Sequence, residues 1–570
     1  VSRKSELAVD RGARRSPALL VLVLLFAFSA RADKFGPVNI LPLPSLGDMG
    51  SAGFNVRRFE IENPTREPHK VTLSIIVHGY GMRSELHTSR TITAPPASTI
   101  TIEVPEQLQG WTPSRELSVE VDDRHRGPDM KLTATGSGER GLQILLSPAF
   151  ADTALREEAK KRMSANSFEF IRSDLPINQW STNWLAYTPF AGVALTAAEW
   201  SEMPAPAQAA VQQWVRSGGT LLITGTAAIL PGARVVSAVP AYSESSLAFG
   251  HAFTVLPPID QAPGPLFDAL ANSWQGSLAM MTASSAPYDL LPLLGSGHVP
   301  VPAMFALLIV FAVSSGPVSL FMHAKRDRRM WIFWTMPAAA LIASAGIILA
   351  SLASEGWQRV MKSSSITWLD ENSGDATTLG VIGFYATIPP NGEIRFAPET
   401  EFRLFGDSMH LEEVDATDGQ RLSGWVDSRV STYFAFRKNE HRRERLSLRT
   451  RNGQLAAVNG FGSRISTLWL MTDDGTLYRS GAIEPGAEGV LQIAQKEKVS
   501  EAAPVWLGSP EGWVSYPSRW AAEPRSMLRR GGYIAVLDTS PFVERALDRA
   551  RTVAANGVVV GLLRRGANAS

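Results

Sequence analysis

Two apolar runs constrain this chain more than any other feature. Val301 to Met322 and Trp331 to Ala353 contain no charged side chain. About 20 such residues are what a helix needs to cross the hydrocarbon core of a bilayer. Between the runs, Lys325, Arg326, Arg328 and Arg329 crowd a short loop, and basic residues in short loops are retained on the cytoplasmic side. The pattern predicts a membrane hairpin: a transmembrane helix over 299–322, a cytoplasmic loop over 323–330 and a second helix over 331–354, with the lipid bilayer as a partner. Gly316-Pro317 should kink the first span, which a neighbouring helix can tolerate.

The N-terminal region points the same way. Arg11, Arg14 and Arg15 precede the apolar stretch from Ala18 to Phe28, and Ala30-Arg31-Ala32 has the small-x-small form of a signal-peptidase site. Residues 1–32 are therefore expected to be a signal peptide, with Ala30 and Ala32 at the cleavage site. Export of the following chain and retention of the basic loop together predict a bacterial inner-membrane protein with two helices and periplasmic N- and C-terminal parts.

Charge and cysteine usage exclude several chemistries. Lys and Arg number 55 and Asp and Glu 54, so no global field favours a polyanion, and nucleic acid is not expected as a partner. There is no cysteine, which excludes disulfides, thiolate nucleophiles and zinc–thiolate sites. None of the nine histidines pairs with another at metal-ligand spacing. Neither a metal nor a cofactor is expected.

Outside the two runs the periodicity divides the chain. Residues 33–135 alternate in short segments, such as Val71-Thr-Leu-Ser-Ile-Ile-Val77 and Leu117-Ser-Val-Glu-Val-Asp122, as expected of an N-terminal Ig-like β-sandwich. Gly136-Ser-Gly-Glu-Arg-Gly141 matches a dinucleotide glycine pattern but precedes a strand instead of opening a helix, so 136–141 reads as a linker. From 142 to 298, apolar strands alternate with helical segments, which predicts an α/β domain with a parallel sheet. Thr196-Ala-Ala-Glu199 has capping-box spacing. Ala207, Ala210, Val211, Trp214 and Val215 share one helical face. Trp180, Trp184, Trp200 and Trp214 read as core packing of this layer rather than as a sugar platform. Residues 355–570 read as a mainly-β C-terminal domain. Asn452-Gly453 and Asp474-Gly475 mark two hairpins. Asp538-Thr-Ser-Pro541 reads as a strand end and cap leading into a helix over 541–554, followed by a strand at Val558–Val560.

Leu175-Pro176, Trp184, Tyr187, Gly192-Val-Ala-Leu195 and Trp214-Val-Arg-Ser-Gly-Gly-Thr-Leu-Leu-Ile-Thr224 resemble bacterial envelope membrane proteins with a class I glutamine amidotransferase-like, flavodoxin-like periplasmic domain lacking the nucleophilic cysteine. In active amidotransferases the cysteine stands on a sharp turn after the strand that matches Thr220–Thr224. Here Thr224, Gly225 and Thr226 occupy that degenerate nucleophile elbow. The resemblance implies a multidomain α/β plus β architecture in which the α/β fold is kept for binding.

These readings converge on a non-catalytic, inner-membrane-anchored periplasmic scaffold or accessory subunit of an envelope complex, for instance one for transport, with protein partners. Two alternatives are a periplasmic sensor of an unidentified small ligand, and an envelope hydrolase using Thr224 or Thr226 with His251 as the nearest downstream base.

Overall fold

The computed structural model describes residues 33–564 apart from 47–52, 79–84, 109–113, 126, 133–141, 152, 163–167, 226–229, 257, 283–290, 292, 294–300, 319–320, 322–331, 356–358, 388–393, 406–411, 452, 495–526 and 548–549. The expected signal peptide with Ala30 and Ala32, the linker 136–141, Thr226 and the basic loop Lys325, Arg326, Arg328 and Arg329 lie outside the described residues.

Alternation builds the N-terminal sandwich. In His69–His78, Val71, Leu73, Ile75 and Val77 point inward and the residues between them outward, the period of a half-buried strand. Asp122 and Asp123 both adopt positive φ, which gives the tight turn joining Ser114–Val121 to Arg124–His125. One layer is an antiparallel sheet ordered Asp33–Phe35, Val38–Leu43, Phe54–Asn63, Ser98–Gln107. The other layer is completed from far along the chain. Glu412–Asp415 pairs in parallel with Glu85–Ala94, and Gln420–Ser423 and Ile394–Phe396 follow outward.

The middle of the chain forms a mixed seven-stranded sheet. Phe168–Arg172, Leu142–Leu146, Phe190–Thr196, Thr220–Thr224 and Gly250–Val255 lie parallel in that spatial order. Tyr242–Leu247 and Arg234–Val239 extend it antiparallel. The helix Ala205–Arg216 buries Ala207, Ala210, Val211, Trp214 and Val215. Thr196 and Glu199 form the reciprocal capping box at the start of Ala197–Glu202. Trp180, Trp184, Trp200 and Trp214 are all buried.

The C-terminal region contributes a nine-stranded sheet in which Val360–Asp370 lies between Asp375–Tyr385 and the central strand Arg551–Leu562. Leu446–Arg451 and Gln454–Asn459 pair as the expected hairpin, with Gly453 at φ +76°. The helix expected over 541–554 does not form. Residues from Arg551 are instead a strand, parallel to Val360–Asp370 on one side and antiparallel to Gly532–Leu537 on the other. Hydrogen-bonding on both edges outweighs the local helical preference of Arg551-Thr-Val-Ala-Ala555.

These regions share a continuous core. One cluster of buried side chains runs from the sandwich through the seven-stranded sheet into the C-terminal strands. Phe54 meets Phe402 edge-on at 5.5 Å, and Gln107 Nε2 donates to Phe402 O at 3.1 Å. The C-terminal end of Ala205–Arg216 is held by the nine-stranded sheet. Asn439 Nδ2 donates to Gln213 O (3.2 Å), and Arg437 Nη1 donates to Ser217 O (3.2 Å). Gln213 O also accepts from Ser217 N at 3.1 Å, so Asn439 adds a further donor there, and both side chains lie at the helix pole that favours a cation.

Two sequence expectations are corrected. First, the described residues are mostly β, 50% strand and 20% helix in several sheets. The sheet holding the parallel strands is mixed and merged into the common core. It is not the wholly parallel sheet of a separate flavodoxin-like domain: a β-hairpin, not a helix, connects Thr220–Thr224 to Gly250–Val255. Second, among the described residues no helix is long and apolar enough to cross a membrane, which overturns the two-span inner-membrane expectation. The first apolar run is a 13-residue helix, Val301–Val313, which gives way to a π turn at Ser314–Val318 containing Pro317. At 1.5 Å per residue that helix covers about 20 Å of a core about 30 Å thick.

Candidate functional site

Open sheets with parallel strands take ligands beyond the carboxyl ends of those strands. Here that edge carries Ser147, Ser173, Thr196, Thr224 and Gly225. Its central charged group is Glu199, which is buried. Glu199 accepts from Ser147 Oγ, from Ala149 N at 2.9 Å, from Thr196 N at 3.0 Å and from Thr196 Oγ1 at 2.9 Å. Burial alone would raise its pKa, but these donors outweigh it and hold the carboxyl below the ordinary glutamate range. A carboxylate with its lone pairs so occupied ties two strand ends to a helix start.

Glu199→Gln is therefore expected to cost about 1–3 kcal/mol at neutral pH, because a charged acceptor shared by several donors is lost. The folded pKa lies below the unfolded value of about 4.3. The stabilisation is complete above that value and is lost as pH falls through the folded-state pKa. Urea melts of the parent and variant should differ clearly at neutral pH and converge in acid. A gap of constant size at both would show that the carboxylate charge is not its source.

The expected nucleophile region is split by the fold. Thr224 is in register with Thr196 and Val255 at the carboxyl end of its strand. Gly225 follows at φ +114°, a conformation that favours glycine, and its N–H donates to Val255 O at 2.8 Å. His251 is in register with Thr220, at the opposite end of the strand. Four residues of strand separate the two levels by about 13 Å, and His251 Nδ1 lies 3.1 Å from Glu244 Oε1. His251 is thus not placed to activate Thr224.

A hydroxyl–imidazole–carboxylate chain occurs elsewhere, at the tip of the sandwich, and sequence spacing gave no sign of it. Thr65 Oγ1 lies 2.9 Å from His69 Nε2, and His69 Nδ1 lies 2.8 Å from Asp122 Oδ2. The same hydroxyl is also 2.8 Å from Asn63 Oδ1 and 3.0 Å from Glu67 O. Asn63 is fully buried, and its Nδ2 donates to Glu67 O, Ala94 O and Pro95 O. Three acceptors compete for one hydroxyl proton, and the network fastens the turn between two sandwich strands. Asp122 is an anchor of that network.

Inside the sandwich, Glu106 is fully buried between Arg57 Nε at 2.7 Å and Arg115 Nε. Arg57 and Glu106 belong to one layer and Arg115 to the other, so the three side chains bridge the sheets. Among the described residues, no group of three or more His, Asp or Glu could hold a metal ion.

Compared with known proteins, the chain matches no family model and no curated protein. Among solved structures, trypsin-activated alpha-2-macroglobulin from Escherichia coli aligns at a TM-score of 0.12 and 11% identity, over 81% of this chain and 43% of that one. This chain therefore spans less than half of that structure's length, and a TM-score of that size carries no argument about fold or function.

Proposed function

We propose that this protein is a non-catalytic binding scaffold, an accessory subunit whose partners are other proteins. The observation that carries the reading is the apolar surface of Val301–Val313 and Ile332–Glu355. Phe305, Ile309, Phe333, Trp334, Leu341 and Ile342 are between 61% and 80% exposed. Covering each such side chain is worth about 1.5–3 kcal/mol, and contiguous apolar surface of this kind marks an interaction site. The separation of His251 from Thr224 and the occupied state of Glu199 support the non-catalytic part of the reading.

Crosslinking of the full chain in its native extract, followed by affinity purification and mass spectrometry, tests this. A stoichiometric protein partner is expected. Its recovery should fall roughly tenfold in a Phe333→Ser, Trp334→Ser variant, since large exposed aromatics dominate such interfaces. Both positions are exposed, so the fold should survive the change. A solitary protein, or a partner recovered equally with the variant, overturns the reading.

A further inference from the structure

The junction between the seven-stranded and nine-stranded sheets gathers two arginines that, among the described residues, have no carboxylate on either. Arg234 opens the outermost strand of the seven-stranded sheet, and Ser246 lies directly across from it in register. Directly opposed residues of an antiparallel pair project to the same face. Arg529, 283 residues further along, donates from Nη2 to Ser246 Oγ at 3.0 Å. Its guanidinium sits over the Trp368 ring, 4.8 Å from the centroid. Ser246 is 5% exposed and Arg529 partly buried, whereas Arg234 is exposed. Glu244, two residues along the same strand, has its carboxylate on His251. Among the described residues no acidic group forms an ion pair with Arg234 or Arg529.

A guanidinium drawn out of water needs compensation. The indole ring supplies about 1–2 kcal/mol, and the serine hydroxyl is a neutral acceptor. A nearby second arginine works against the first: burial and the charge of Arg234 together push Arg529 down to about 10. An oxyanion seated between the two guanidinium groups would relieve both, and forked N–H donors suit its geometry.

We propose that Arg234, Ser246 and Arg529 form a binding site for a phosphate-class oxyanion, with Trp368 as its floor. A dianion matches two cations, whereas a lone carboxylate leaves one charge over. The site is built from different elements from the exposed helix pair and stands independently of the scaffold reading.

The test is calorimetric titration of the full chain with inorganic phosphate at constant ionic strength, which holds general screening fixed. Saturable binding of about millimolar affinity or better is expected. Arg234→Gln should weaken it at least about tenfold, or 1.4 kcal/mol. Arg234 is exposed on an edge strand, so that variant keeps the fold even if Arg529→Gln does not. Acetate at the same ionic strength should bind more weakly than phosphate. Absence of saturable phosphate binding, equal binding by the parent and Arg234→Gln, or acetate binding as tightly as phosphate would each overturn the proposal.

Discussion

Glu106→Gln is expected to lower the unfolding free energy by about 3–5 kcal/mol, the scale for breaking a buried charge cluster by removing one partner. Glu106 has no solvent exposure, and the Arg57 and Arg115 guanidinium groups that bond it are nearly as buried. The amide keeps the shape but removes the only negative charge among the three. Two cations then face each other between the layers of the sandwich, and each layer holds one of them. Chemical denaturation of both proteins measures the loss. The companion variant Arg57→Met, Glu106→Leu, Arg115→Met should recover most of it, because an apolar replacement of a whole buried cluster is often neutral or better. If Glu106→Gln stays within about 1 kcal/mol of the parent, the cluster is not the bridge between sheets described above.

The second large effect comes from a single methyl group. Gly250→Ala is expected to destabilise by about 3 kcal/mol, at the upper end for overpacking. A Cβ at Gly250 would overlap the carbonyl oxygens of Val215 and Gly219. Both are backbone atoms at the C-terminal end of Ala205–Arg216, which is itself fixed by Arg437 and Asn439, so neither can yield as a flexible side chain would. Gly481→Ala is the control: nothing lies within 4 Å of the added carbon, and its effect should be within about 0.5 kcal/mol, as for changes away from tight contacts. Thermal melts of the two variants side by side decide the matter. Equal melting temperatures would mean that the turn at Gly250 can relax away from the helix end.

Acting on local signals, the sequence alone determined several elements. Alternation at Val71, Leu73, Ile75 and Val77 sufficed for a strand with one buried face. Thr196 and Glu199 capped a helix at the spacing their side chains can reach. Gly453 closed a hairpin by adopting a positive φ. The five apolar positions from Ala207 to Val215 faced inward because they recur at helical spacing. Each of these choices is decided within one or two turns of chain.

Tertiary structure decided the rest, because the deciding partners are remote in sequence. Arg551–Leu562 became a strand when Val360–Asp370 and Gly532–Leu537 bonded both of its edges. Glu412–Asp415 joined the N-terminal sandwich by pairing with Glu85–Ala94, which no local pattern announces. The apolar run after Val301 has the hydropathy of a span, but its α-helix stops at Val313, where the Ser314–Val318 turn begins. Hydropathy records composition and not helical continuity. In the candidate sites, Thr224 and His251 looked like possible partners until parallel register set His251 beside Thr220. Arg234, Ser246 and Arg529 came together only through strand pairing and the packing of two sheets. Local propensity selects elements within a few residues, whereas burial and register act between surfaces that exist only once the chain has folded.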